Sequence, residues 1–289
     1  MRAGVVRSQA ALARGSLPRM SRVQWEDLPL QVRQAVTEQT GTVVKTEPIC
    51  EGVNSQITLI AHTRHDRVFI KGVQTGDARR VRSLTREAAI SPFVTAVSPA
   101  LLWQVHQADW MLLGFEYIHG RRVDYSPASP DLPLVLETLE ALAGTAAPDL
   151  TPPLPTLEAR MANYTPADHL WRFAGEALLH TDWNPGNVRV SGKRAWLVDW
   201  AVPTRGVAWS DAADVGLCLI TCGHTPRDAE AILAELPVWN DADPEAVRVS
   251  VLSTEATWTG LYPQPTDDTW SNATVQAARR WAEHHRGAP

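Results

Sequence analysis

The sequence predicts an α+β chain in two lobes, a five-stranded antiparallel sheet with one helix followed by a mostly helical half, and three observations predict it. Short β-branched runs separated by turn residues fill the chain to about residue 118. Longer segments with helical periodicity dominate afterwards, and the composition changes at Gly120. The lobes are therefore set at 20–118 and 119–289.

The first strand signal is Val43 and Val44, the second spans 56–61 and the third 67–73. Gly52, Val53, Asn54 and Ser55 turn the chain before the second, and Arg64, His65 and Asp66 before the third, which makes an antiparallel meander. A helix is expected over 79–93, its polar half carrying Arg86 and Glu87. Strands over 100–105 and 110–118, parted by Gln107, Ala108 and Asp109, complete the sheet. Beyond Gly120, helices are expected over 132–143 and 155–164, divided by the proline-rich 148–155, and then over 212–222, 226–236, 244–259 and 272–285. No internal repeat or low-complexity tract interrupts this order.

Bulk composition narrows the function. The 44% hydrophobic content supports an ordinary core, and the formal charge of −5 gives no electrostatic footprint for general nucleic-acid binding while favouring a cationic partner. No run approaches the roughly 18 apolar residues needed to span a membrane. Cys50, Cys218 and Cys222 read as free core thiols of a protein in a reducing, cytoplasmic setting; with His224 the last two still lack a fourth metal ligand. Residues 1–19 hold Arg2, Arg7, Arg14 and Arg19 and no acid, and read as a disordered extension or an over-long start, with Met20 opening a more conventional sequence.

The densest polar cluster is His180, Thr181, Asp182, Trp183, Asn184, Pro185, Gly186 and Asn187, between the apolar 177–179 and the strand-like 188–190. Twelve residues past Asn187 comes Asp199, at the end of the apolar run 195–198. Phosphoryl transfer needs positioning and charge neutralisation more than covalent chemistry. Asp182 can accept the proton of an acceptor hydroxyl, while the oxygens of Asn187 and Asp199 suit magnesium.

These residues resemble the aminoglycoside phosphotransferase and choline kinase branch of the protein-kinase-like superfamily, whose loop reads H-x-D-x-x-x-x-N before a strand ending in D. The resemblance implies a bilobal kinase fold using ATP and Mg2+, with Asp182 as catalytic base, Asn187 and Asp199 as metal ligands, and His180 as a residue that shapes the loop. It further implies that Asp211, opening a helix, braces that loop, with Asp214 the alternative; a helix N-cap would also explain Asp211. Lys71, on the third strand, stands where the family places its phosphate-contacting lysine, and Glu87, sixteen residues on, where it places that lysine's ion-pair partner. Gly52, Asn54 and Ser55 take the place of the phosphate-covering turn, and Phe115 to Ile118, including Glu116, that of the hinge that grips adenine.

The resemblance covers roughly 43–220 and has departures. Thr181 stands where glycine is common, Trp183 and Asn184 replace leucine and histidine, and the span from hinge to His180 is short for an antibiotic kinase. The implied partner is a small hydroxyl-bearing molecule: an aminoglycoside, amino alcohol, sugar or nucleoside. Asp168, Glu176, Asp267 and Asp268 are candidate acids for holding it. Trp183, Trp196, Trp200 and Trp209 read as core packing rather than an aromatic cage for a quaternary ammonium. Two rival classes stand beside the kinase: a kinase-fold binding module without turnover, and a metal-dependent hydrolase, which would need further histidines. There is no G-x-x-x-x-G-K-[ST] loop and no G-x-G-x-x-G after a strand.

Overall fold

The computed structural model describes residues 23–49 and 55–287. The expectations placed on residues 1–19, Cys50, Gly52 and Asn54 lie outside the described residues. The chain divides into two compact units, one running to His119 and including Asp199–Val202, the other holding Gly120–Val198 and the chain from Pro203 onward.

The first unit is built on a five-stranded antiparallel sheet of β1 (Lys45–Pro48), β2 (Ile57–His62), β3 (Arg67–Gln74), β4 (Leu101–Gln107) and β5 (Trp110–Glu116), in the order β1-β2-β3-β5-β4. The central β3 is flanked in register by β2 and β5, so its β-branched residues are buried on both faces. One face packs Ile57, Leu59, Val68, Ile70, Trp103 and Leu112 under helix α1 (Leu30–Thr40), which contributes Val32 and Val36. The other packs Val73, Met111, Leu113 and Phe115 under helix α2 (Ala78–Ile90), whose Leu84 joins them. Each such buried Leu or Val contributes roughly 1.5–3 kcal/mol. Trp103 lies across Gly114 on the neighbouring strand, where an added Cβ would come within 2.1 Å of the indole, so only glycine fits.

Local chemistry accounts for most of the boundaries. Asp77 caps α2 by accepting the Arg80 N–H, and the helix stops at Ile90 before a 3-10 turn over Ser91–Phe93 that contains Pro92. The first strand lies at Lys45–Pro48 rather than at Val43 and Val44: the Val44 N–H reaches only the His62 carbonyl, and regular pairing starts one residue later. β5 ends at Glu116, two residues short of the expected end, where its pairing with Val68 stops. α1 has no counterpart among the expected elements, because its buried stripe is only Val32 and Val36.

The second unit carries a two-stranded ladder, β7 (Ala177–Leu179) with β10 (Thr204–Gly206), and a three-stranded sheet of β6 (Arg121–Arg122), β8 (Val188–Ser191) and β9 (Arg194–Leu197). Its helices are α3 (Leu132–Ala143), α4 (Leu157–Met161), α5 (Ser210–Thr221), α6 (Pro226–Leu233), α7 (Pro237–Asn240), α8 (Pro244–Leu261) and α9 (Thr269–Gly287). α5 is buried on nearly every side, from Asp211 to Ile220, and packs against α9, whose Trp281 lies beside Gly216. The expected helix over 155–164 shrinks to α4, since Thr156 caps it and a turn follows Met161. The one expected over 226–236 ends at Leu233, ahead of Pro237, because the residue before proline is held out of the helical region.

Candidate active site

Lys71 sits mid-strand on β3, between Thr58 of β2 and Leu113 of β5. Its ammonium is bonded to two carboxylates, Glu87 Oε1 at 2.7 Å and Asp199 Oδ1 at 2.9 Å. Lys71 and Glu87 are almost fully buried, with side chains only 9% and 6% exposed, so neither charge could persist there alone. Burial opposes the charge on Lys71, but Asp199 and Glu87 outweigh it and hold the ammonium above the ordinary lysine range. Glu87 reaches this point because Arg80, Leu84 and Glu87 share the buried face of α2. Its carboxylate also accepts the backbone N–H of Trp200.

Asp199 lies two residues beyond β9 with φ at +66°, a left-handed backbone that an aspartate tolerates better than most side chains. The short segment it opens is tied to the first unit by Ser83 Oγ donating to the Ala201 carbonyl at 3.0 Å and Trp200 Nε1 donating to Ser98 Oγ at 3.1 Å. A lysine, a glutamate sixteen residues later and an aspartate 128 residues later thus form one ion-pair cluster. Ser55, Glu116 and Ile118 are not members of it. Ser55 precedes β2, Glu116 is the exposed end of β5, and Ile118 follows the strand.

In the second unit, the 180–187 loop is held from below by two carboxylates one helical turn apart on α5. Asp211 accepts the N–H of His180 through Oδ2 at 2.8 Å and that of Thr181 through Oδ1 at 2.9 Å. Asp214 accepts the N–H of Trp183 at 2.7 Å. Both candidates for a brace therefore bond to the loop, and the N-cap explanation of Asp211 fails: Trp209 occupies the cap and the Asp211 oxygens go to the loop. Burial raises the Asp211 carboxyl above the usual range, and burial, with Asp182 and Asp211 close by, pushes Asp214 up to about 7.

Within the loop, the Asn187 amide donates to the Asp182 carbonyl at 3.0 Å, which commits its nitrogen end and orients its oxygen end. Asn184 donates to Asp182 Oδ1 at 2.5 Å and accepts from the Gly186 N–H at 2.9 Å. His180 is buried, its Nε2 3.1 Å from the Val198 carbonyl and its ring set edge-on to Trp183. Trp183 is wholly buried and its carbonyl accepts the Tyr125 hydroxyl at 2.9 Å, so the bulk that replaces leucine here goes into the core. Trp200 and Trp209 are buried as well, and Trp196 carries the Arg194 guanidinium 3.7 Å over its ring. None of the four makes a cage.

Two features of the loop escaped sequence reasoning. Thr181 adopts φ of +62°, which explains in backbone geometry why glycine suits the position. Arg160, on α4, donates to Thr181 Oγ1 and to Thr204 Oγ1, each at 2.5 Å. The glycine-to-threonine departure was a signal for the first; nothing local in the sequence marks the second.

A cleft of about 130 Å³ opens beside the loop, lined by Arg160, Tyr164, Thr181, Asp211, Asp214 and Trp258 among others. Its acids are Asp211 and Asp214, not the four expected. Asp168 and Asp267 are exposed, Glu176 pairs with Arg205, and Asp268 is spent on the Trp270 N–H and the Ser271 hydroxyl at the start of α9. Cys218 and Cys222 are free thiols, His224 engages the Tyr125 carbonyl, and among the described residues no group of three His, Cys, Asp or Glu is arranged to hold a metal.

No family model matches the chain, and no curated protein does. Solved structures do. The choline kinase LicA from Streptococcus pneumoniae superposes with a TM-score of 0.58 at 12% identity, over 87% of this chain and 98% of its own. An aminoglycoside phosphotransferase from Alicyclobacillus acidocaldarius gives 0.57 at 11%, over 92% and 98%. The amicoumacin kinase hAmiN, in complex with AMP-PNP, Ca2+ and Ami, gives 0.56 at 10%, over 87% and 93%. At such identities the likeness is one of fold, and by fold this chain is a protein-kinase-like α+β protein of the architecture shared by choline kinase-like proteins and aminoglycoside phosphotransferases.

Proposed function

We propose that the protein is an ATP-dependent phosphotransferase that moves the γ-phosphate of ATP to a hydroxyl of a small molecule. The observation that carries this reading is the Lys71 ammonium, buried in a central strand and kept charged by Glu87 and Asp199. A cation held this rigidly is suited to phosphate oxygens, and Glu87 keeps it in place. Asp199 and Asn187 offer a carboxylate and an amide oxygen, a donor set that fits a hard divalent cation such as Mg2+. When bound, the ion neutralises charge on the nucleotide phosphates.

The remaining work falls to the 180–187 loop. Asp182 accepts the proton of the acceptor hydroxyl as the oxygen attacks, which requires the carboxylate to be held at a fixed point. His180 fills space beneath the loop, and Asp211 and Asp214 fix its backbone by accepting three N–H groups. We place Ser55 with Gly52 and Asn54 in the phosphate-covering turn, and Glu116 with Ile118 at the adenine hinge, on the resemblance alone. The charge of −5 favours a cationic acceptor.

One observation favours a second reading. Asn184 occupies Asp182 Oδ1 at 2.5 Å, which ties up one oxygen of the proposed base and would suit a nucleotide-binding module with weak turnover. Titration calorimetry with a non-hydrolysable ATP analogue, with and without Mg2+, tests both. Magnesium-dependent binding that is lost in Asp199→Ala supports the kinase, and a screen of hydroxyl acceptors then reads turnover. Binding with no turnover on any acceptor class selects the module, and no binding by folded protein refutes both.

A further inference from the structure

Thr181 is a β-branched residue at φ of +62°, a conformation unfavourable for such a side chain that persists only where neighbours hold it. Asp211 accepts the Thr181 N–H at 2.9 Å, and the side chain is held by Arg160. Its guanidinium donates to Thr181 Oγ1 and Thr204 Oγ1, each at 2.5 Å. Thr204 pairs with Leu179 at the end of the β7–β10 ladder, so Arg160 spans the point where one strand runs out into the 180–187 loop and the other enters.

Arg160 is itself well anchored. Helix α4 is capped by Thr156, which bridges Arg205 of β10, and the Arg205 N–H donates to the Pro155 carbonyl at 3.0 Å. Gly206 lets Leu157 of α4 close on that strand, since a Cβ there would meet Leu157 at 2.7 Å. Burial works against the charge on Arg160, which is offset by the nearby charges of Asp214, Asp182 and Asp211, and Asp182 directly follows the strained residue. Both bonds leave the same nitrogen, Nη1, so a single donor atom ties the two threonine hydroxyls together.

We infer that Arg160 is a positioning residue of the loop: bonded to Thr181 and Thr204, it holds a threonine in a left-handed turn that glycine would take unaided, and so sets the backbone from which Asp182 departs. This inference rests on the phosphotransferase reading for its effect on rate, but not for its effect on the loop.

The test is a double-mutant cycle on the full chain with Arg160→Met, Thr181→Gly and both together, read by amide hydrogen exchange of 180–187 and by ADP released from ATP and Mg2+ with water as acceptor. Arg160→Met should speed loop exchange about tenfold, the effect of losing a bond from a charged donor, and slow ADP release without moving KM for ATP. In the Thr181→Gly background the same change should alter exchange and rate less than about twofold, because glycine needs no support. An undiminished tenfold step in that background overturns the inference. Thr181→Val, which keeps the branch and loses Oγ1, should exchange like Arg160→Met and serves if that variant fails to fold; wild-type exchange in Thr181→Val also overturns it. If wild type releases no ADP to water, turnover is read with the screened hydroxyl acceptors, failure on all of them counts against the phosphotransferase reading, and the exchange result stays decisive for Arg160.

Discussion

The Lys71 cluster and the Asp211–Asp214 brace are both buried and both acidic, yet they are built on opposite plans. In the first, charge meets charge: one ammonium lies between two carboxylates, each side chain supplied by a different segment. In the second, charge meets backbone: two carboxylates on one helix accept three N–H groups of a loop. The first plan leaves a cation fixed and charged for use on an anion. The second spends its carboxylates on shape. Burial raises the carboxyl of Asp211 against the pull of the His180 and Thr181 N–H groups it accepts, whereas the Lys71 ammonium is held up by its partners.

That contrast can be broken first at the residue the brace serves. Asp182→Ala removes the proposed base without touching the brace, and phosphate transfer should fall by about 10²–10⁴-fold with ATP–Mg2+ binding retained in calorimetry; equal loss of binding would show that Asp182 belongs to the binding plan instead. Next in size, Lys71→Met leaves Glu87 buried without its cation and should cost about 3–5 kcal/mol in urea unfolding, while Lys71→Met with Glu87→Gln should recover part of it. No recovery would mean that Lys71 does not carry Glu87.

Asp211→Ala strands two buried N–H groups and should cost about 2–4 kcal/mol, together with faster exchange at His180 and Thr181. A variant as stable as wild type would remove Asp211 from the brace. The smallest effect is in pH. Asp214 is raised in the folded state to about 7, above its unfolded value, so the native protein binds the extra proton between those limits. Its contribution is fully present below about pH 4 and is lost as pH rises through 7. Asp214→Asn cannot ionise, so its stability relative to wild type should improve from pH 5 to pH 8 in thermal melts; a constant difference would place the Asp214 titration outside that window.

Much of the N-terminal sheet was legible because β-branched runs and turn residues mark strands locally: β2 and β3 fall within a residue of expectation, and the helix after them starts within one residue and ends three short. α1 was not, since two valines on a polar helix acquire meaning only when a sheet lies beneath them. The same division holds at the site. His180, Asp182, Asn187 and Asp199 stand out by spacing, and Lys71 with Glu87 by resemblance, while Arg160 carries no local mark and the cleft is lined by Asp211 and Asp214 rather than by Asp168, Glu176, Asp267 or Asp268.

By itself the sequence determined the order of elements and the identity of the polar residues, because periodicity, turn chemistry and short-range spacing are properties of neighbours along the chain. Only the tertiary structure decided which carboxylate meets which donor: that Asp199 closes on Lys71, that Asp211 and Asp214 share the loop, and that Arg160 supports a strained Thr181. Those pairings join residues 21 to 128 positions apart, and they are selected by the burial that makes an unpartnered charge or N–H too costly to leave.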